Sequence, residues 1–392
     1  MLPFVYFRPS GGPVNKRQTD MNRIQQMSWM ILLLAAGCTF SGKVVRLPVT
    51  DGLEHTALSA EQTGMITSTL AQFPDHSQIA VAVLTGNETL YFGAIRQHDT
   101  IRPCNNANSV FEIGSITKVF TTQLLMDAVR SGKIKSLDEP VASYLNYSIK
   151  GQPDITFRQL ASHTSGLPGN LSASIFTTDA ANPYKKWDEE KLRDFLQHDV
   201  AMHDAPGQNY LYSNVGMALL ATILCSVSER DYEFLLQQNI CDPLHMDHTT
   251  TNRDQISSDL VQGYNWKGKP TENWDMDAMA GAGAILSTVS DLAIYAGWSM
   301  TALHQSLIDM TLPTVQINDD LQVALGWHVV SNKTPEPFLW HNGGTGGYKS
   351  SMAIDLNNGR SVVILTNIGA TDNPRKGLID QLCFDLVNSF EG

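Results

Sequence analysis

Positive charge is scarce in this chain: 27 lysines and arginines face 39 aspartates and glutamates, for a formal net charge of −12. Nucleic acid and anionic membrane surfaces both reward positive charge, so neither suits it as a main partner. Cysteine is scarce as well, and the 5 thiols lie too scattered to spell a disulfide framework. No Cys-x-x-Cys or His-Glu-x-x-His spacing occurs, and no phosphate-cradling glycine loop, so the sequence supports neither zinc nor a nucleotide cofactor. No serine occupies a Gly-x-Ser-x-Gly turn, which disfavours the α/β-hydrolase arrangement. Internal repeats and low-complexity tracts are missing too. What is present is a chain of 392 residues, 42% hydrophobic and 17% charged, able to bury a substantial core and to form two lobes.

Ser115-Ile116-Thr117-Lys118 places a hydroxyl and an ammonium one helical turn apart, on a shared helix face. A lysine kept short of water can surrender its proton and accept the serine's, so Ser-x-x-Lys is a catalytic signature. Alone it is weak, because ordinary Ser and Lys usage yields about one or two such spacings in a chain of this length. Its surroundings strengthen it. Gly114 precedes the serine, and Ile116, Phe120 and Leu124 recur as one buried helical stripe before Ser131-Gly132 stops the helix. Ser115 then lies in the first turn, facing unpaired N–H groups and the positive end of the helix dipole.

Two further motifs can reach the same cleft. Tyr212-Ser213-Asn214 follows the turn Ala205-Pro206-Gly207 and leads into the apolar helical run Val215 to Val227. His341-Asn342-Gly343-Gly344-Thr345-Gly346-Gly347 follows the strand-like Phe338-Leu339-Trp340, and its glycines allow a backbone to approach a ligand closely. His163, within His163-Thr164-Ser165-Gly166, reads as a loop-fixing hydrogen-bonder rather than a catalyst.

With these motifs in this order, Ser-x-x-Lys, Tyr-Ser-Asn and His-x-Gly, the chain resembles the penicillin-binding-protein-like serine hydrolases. That family includes serine β-lactamases, DD-peptidases, D-aminopeptidases and β-lactamase-like esterases. His163 to Pro168, Gly281-Ala282-Gly283-Ala284 with Ser287-Thr288, and Gly326-Trp327-His328 add to the likeness, which spans roughly residues 55 to 390. The resemblance implies that Ser115 is the nucleophile that forms an acyl-enzyme and that Lys118 helps strip its proton. Tyr212 would be general base or proton shuttle, with a phenol pKa depressed by nearby cations. Asn214 would hold the substrate's amide carbonyl, and Asn170 would add a second amide facing the substrate. The oxyanion hole would be the backbone N–H groups of Ser115 and Gly344, on the strand that also carries Gly343. His341 departs from the β-lactamase pattern: it stands where many β-lactamases carry a lysine that attracts the substrate carboxylate, and a histidine of ordinary pKa is mostly neutral at pH 7. The substrate is then a small molecule or a peptidoglycan-derived D-amino-acid peptide, or a β-lactam, with an ester or a scarcely turned-over penicillin sensor left open. No cofactor and no metal is expected.

The N-terminus reads as an export signal. No charge occurs from Ile24 to Gly42, and the apolar core Met30 to Gly37 is too short for a comfortable transmembrane helix. Leu34-Ala35-Ala36-Gly37-Cys38 resembles the lipobox of bacterial lipoproteins, with Cys38 as the lipid-bearing residue. The expected organisation is a signal segment over 1–38, a linker over 39–53 and a hydrolase domain over 54–392, in a periplasm-facing, membrane-anchored protein.

Within the domain, a helix is expected over Glu61 to Phe73 and strands over Ile79 to Leu84 and Thr89 to Ile95, separated at Gly86-Asn87. Strands return at Val323 to Val330, Ser351 to Asp355 and Ser361 to Thr366, before a last helix over Lys376 to Asn388. Strands at both ends bracketing a helical middle predict an α+β fold. One antiparallel sheet, drawn from about 54–135 and 285–392 and flanked by helices, would face a mostly helical lobe of about 136–284. The family resemblance implies this same β-lactamase/transpeptidase-like architecture.

Overall fold

The computed structural model describes residues 58–390 apart from 87, 173–174, 257–258, 302–304 and 332–336. The signal segment, Cys38, the linker and Asn87 of the first hairpin lie outside the described residues.

Nine antiparallel strands form the main sheet, in the order β3-β2-β1-β11-β10-β9-β8-β7-β6. In chain order they begin with β1 (Gln78–Thr85), β2 (Glu88–Gln97) and β3 (Thr100–Pro103). They resume with β6 (Val315–Asn318), β7 (Leu321–Val323), β8 (His328–Val330), β9 (Phe338–Gly344), β10 (Lys349–Asp355) and β11 (Arg360–Thr366). The two ends of the chain join where Ile79 pairs with Thr366 and Leu84 with Ser361. Ile79 to Leu84 is buried at every position, so β1 is apolar on both faces rather than alternating. A separate two-stranded ribbon pairs β4 (Phe111–Glu112) with β5 (Leu286–Ser287).

Helices supply the cover that such a sheet needs. Helix α1 (Ala60–Leu70) starts from a reciprocal cap in which the Ser59 hydroxyl accepts from the Gln62 amide and the Gln62 side chain accepts from the Ser59 amide. It packs on α5 (Gly377–Asn388), which lies against β10 and β11. Helix α4 (Val289–Ser299) packs on β1 and β11. No element was expected at α4, although Thr288 with Asp291 three residues on is a legible start: the Thr288 hydroxyl accepts from the Asp291 amide. The helical region is centred on α2 (Thr117–Arg130) and α3 (Asn214–Ser228), which pack together. Cys104, Cys225, Cys241 and Cys383 are free thiols.

One expected strand is two. Ala324 to Trp327 interrupts Val323 to Val330, with the Ala324 amide donating to the Trp327 carbonyl at 2.9 Å and Gly326 at φ +73°. A side chain on Gly326 would meet the Thr122 hydroxyl of α2 at 2.5 Å. The turn is apolar because it packs on α2, with Trp327 wholly buried, and an apolar run alone does not distinguish that burial from a strand's.

Behind the sheet, Asp380 of α5 binds Lys349 of β10 at 2.9 Å and accepts from the Asn342 amide of β9 at 2.9 Å. Both charges are buried. Removing one partner of a buried pair strands the other, at a cost of about 3 to 5 kcal/mol. Asp380→Ala is therefore expected to lower folding stability by that order, read as a shifted urea midpoint, and an unmoved midpoint would show that the pair contributes nothing net.

Candidate active site

Ser115 sits in a single tight turn, Gly114–Ile116, that runs straight into α2. Gly114 makes the entry possible: its φ is +54°, and a Cβ there would lie 2.6 Å from the Gly344 amide nitrogen. One turn on, Lys118 is fully buried, with Nζ 3.0 Å from Ser115 Oγ and 2.6 Å from the Ala282 carbonyl oxygen. Among the described residues no carboxylate pairs with it, and burial holds its pKa well below the usual lysine value. Burial thus favours the neutral form of the amine. It donates to Ala282 and can present a lone pair to the serine hydroxyl.

Tyr212 differs from the sequence expectation. Burial pushes its phenol pKa up, and a hydrogen bond with Ser115 only partly opposes this. The expected depression fails because burial outweighs that bond, and burial lowers the pKa of Lys118, 4.8 Å from the Tyr212 ring centroid, as well. Tyr212 is a phenol in the resting site. It can pass a proton, whereas Lys118 is the group able to take the first one.

Ser213 caps α3. Its hydroxyl accepts from the Gly216 amide at 2.8 Å and donates to the Pro168 carbonyl at 2.7 Å. His163 holds the same loop: Nδ1 accepts from the Ser213 amide at 3.2 Å, its carbonyl accepts from the Leu211 amide at 2.8 Å, and its ring lies 4.5 Å from that of Tyr212. Asn214 Nδ2 donates to Asn170 Oδ1 at 2.9 Å, so the two amides predicted from distant motifs do meet. The same oxygen accepts from the Tyr184 hydroxyl at 2.8 Å. Tyr184 escaped the sequence reading because it stands in no motif.

The opposite wall is β9. His341, Asn342, Gly343 and Gly344 are part of the strand rather than a loop after it. Asn342 turns to Asp380 behind the sheet, while the His341 ring lies 6.4 Å from the Tyr212 ring and 5.3 Å from that of His328. His341 Nδ1 lies 2.7 Å from the Asn342 carbonyl oxygen, which makes Nδ1 the protonated nitrogen. Burial, then the neighbouring His328 and Lys118, push its pKa well below 6.5, so His341 is neutral. His328 and its partner Tyr210, 3.3 Å away, are further site neighbours that the Gly326-Trp327-His328 motif marked without assigning. Gly343 is packed so closely that a Cβ would lie 1.8 Å from the Ile113 carbonyl oxygen. That contact sets the Gly344 amide beside the Gly114–Ser115 turn. Preorganised backbone donors at such a place are worth about 3 to 4 kcal/mol to an oxyanion transition state.

A nucleophile, a buried amine of lowered pKa and a phenol bonded to the serine thus stand together. The family model described as Beta-lactamase matches residues 66–382. The chain belongs to the β-lactamase family. It is a serine hydrolase of that family. Relatives of this β-lactamase-family chain include the D-alanyl-D-alanine-carboxypeptidase/endopeptidase AmpH of Escherichia coli K12, 26% identical over 331 residues, covering 76% of this chain and 83% of that protein. A beta-lactamase of Pseudomonas fluorescens is 27% identical, covering 76% of this chain and 90% of that one. Among solved structures, the beta-lactamase/D-alanine carboxypeptidase of Pseudomonas syringae shares the fold at a TM-score of 0.70 and 17% identity, over 85% of this chain and all (100%) of that one. The octameric penicillin-binding protein homologue of Pyrococcus abyssi does so at 0.70 and 22% identity, over 84% of this chain and 77% of that one.

Gly343→Ala tests the strand contact. The added methyl must displace β9 from Ile113, and a misplacement near 1 Å can cost about 100-fold in rate. Turnover should fall by that order while the far-UV circular dichroism stays unchanged. Full turnover would mean that β9 can shift without moving its amide.

Proposed function

We propose that this enzyme forms an acyl-enzyme on Ser115 with D-alanyl peptides or β-lactams and then hydrolyses it. The observation that carries the proposal is the buried Lys118 amine, 3.0 Å from the Ser115 oxygen, with a pKa that burial lowers. Lys118 takes the hydroxyl proton as Oγ attacks the carbonyl carbon, and the negative charge that forms on the carbonyl oxygen is met by the Ser115 and Gly344 amides. Tyr212 passes a proton to the departing nitrogen as its bond to carbon breaks, and recovers one from the Lys118 ammonium. Asn214 and Asn170 hold the acyl group's own amide. Water then attacks the ester on Ser115 and restores the hydroxyl. The names of the relatives, a D-alanyl-D-alanine-carboxypeptidase/endopeptidase and a beta-lactamase, support this substrate class.

A second reading, an esterase, is favoured by His341. A neutral imidazole attracts a substrate carboxylate less than an ammonium does, and an ester needs no such anchor. We also infer that residues 1–38 export the chain and that Cys38 carries a lipid anchor at the periplasmic face of a membrane, on the strength of the Leu34 to Cys38 pattern.

Incubated with benzylpenicillin, residues 39–392 should show a mass adduct or a penicilloate product, and Ser115→Ala should show neither. Tyr212→Phe should lower turnover by about 100-fold or more. Absence of both adduct and product in the unaltered protein would turn the choice to the esterase. For the anchor, cells given a radiolabelled lipid precursor should label the full chain and not Cys38→Ser, and an unlabelled full chain would remove it.

A further inference from the structure

Glu112, just ahead of the nucleophile turn, is a buried carboxylate that the acyl-transfer steps leave unused. Its backbone pairs with Leu286 in the β4–β5 ribbon. Its Oε1 accepts from the Asn273 side-chain amide at 2.8 Å and from the Trp274 backbone amide at 3.0 Å, and the same Asn273 amide donates to the Tyr348 hydroxyl at 3.0 Å. The Thr345 hydroxyl bonds this carboxylate as well. Neither that hydroxyl nor Glu112 Oε2 has any other partner among the described residues. Burial pushes the Glu112 pKa up, and the Thr345, Asn273 and Trp274 donors, together with the charge of Arg253, pull it back.

Thr345 directly follows Gly344, so the residue whose amide completes the oxyanion hole is pinned on both flanks. On one flank Gly343 lies against the Ile113 carbonyl, which also accepts from the Ser350 hydroxyl at 2.7 Å. On the other, Thr345 meets Glu112. Glu112 and Ile113 are neighbours in the chain and lead straight into Gly114 and Ser115, so both contacts refer Gly344 to the nucleophile turn. The Thr345 backbone is tied separately, its amide donating to the Tyr348 carbonyl at 3.0 Å and its carbonyl accepting from the Ala370 amide at 3.0 Å. Loss of the side-chain contact therefore leaves those backbone bonds in place and frees the placement of the segment relative to Ser115. Oxyanion donors act through such placement, and a misplacement near 1 Å can cost about 100-fold in rate.

Resting on the acyl-enzyme reading above, we propose that Glu112 is a positioning residue for the oxyanion hole, and that it fixes the Gly344 amide relative to Ser115 through the Thr345 hydroxyl. It acts on the transition state and leaves the proton transfers of Ser115, Lys118 and Tyr212 alone.

The test follows release of p-nitrophenol from p-nitrophenyl acetate by residues 39–392, with Ser115→Ala as the blank. The variants are Glu112→Ala, Glu112→Gln, Thr345→Val, Thr345→Ser and the double Glu112→Ala/Thr345→Val. Glu112→Ala and Thr345→Val should each lower kcat by about tenfold or more with KM held within about threefold, because the loss falls on the transition state. Glu112→Gln and Thr345→Ser keep the hydrogen-bonding atoms and should stay within about threefold of the unaltered enzyme. The double variant should be no slower than the slower single one, since both remove one contact. Losses that multiply in the double variant, an unchanged kcat in Thr345→Val, or a Glu112→Gln as slow as Glu112→Ala each overturn the proposal and mark Glu112 as a pin of the Asn273–Trp274 segment alone. Where Glu112→Ala does not fold, Thr345→Val against Thr345→Ser decides by the same limits. Release that does not depend on Ser115 in the unaltered enzyme overturns the acyl-enzyme reading and the positioning role with it.

Discussion

A buried amine with no counter-charge among the described residues is the constraint on which the active site depends. Desolvation with no carboxylate beside it among the described residues disfavours the Lys118 ammonium. That lowered pKa bears on the chemistry of its neighbours. Ser115 has an amine of lowered pKa at 3.0 Å, and the burial they share raises the Tyr212 phenol. His341 and His328 remain uncharged as well, the latter pushed down to about 4. The centre of the site is a set of buried polar groups in low dielectric, where a charge that develops during reaction is felt strongly.

Around that centre the protein has placed backbone against backbone. Gly114, Gly343 and Gly344 lie where the nucleophile turn meets β9, and the contacts there leave no space for side chains. The same strand faces two ways. His341 looks towards Tyr212, and Asn342 reaches through to Asp380 and its Lys349 partner. The position of the Gly344 amide is thus tied to a buried ion pair on the far side of the sheet, and through α5 to the end of the chain. His163 gives comparable support from the helical region by bonding both residues that flank Tyr212.

Much of the site was legible because its residues fall in short motifs with their own local logic. Ser115 and Lys118 share a helix face at any tertiary arrangement, and Ser213 caps α3 from within its own turn. Strands of β-branched residues at both ends of the chain announced the sheet, and the pairing of Ile79 with Thr366 realises it. What escaped were features of apolar or solitary residues. The turn at Gly326 hid inside an apolar run, and Tyr184 lay in no motif although it holds the two amides together.

By itself, the sequence determined which groups could react and the order in which the chain supplies them, since residue identity and helical spacing are local properties. Only the tertiary structure decided their protonation. The pKa of Lys118, Tyr212 and His341 depends on burial by residues far away in the chain, and the expectation of a depressed Tyr212 failed for that reason. Tertiary structure also decided that Asn170, Tyr184 and Asn214 meet, because contact between distant segments arises from packing and has no periodicity to read.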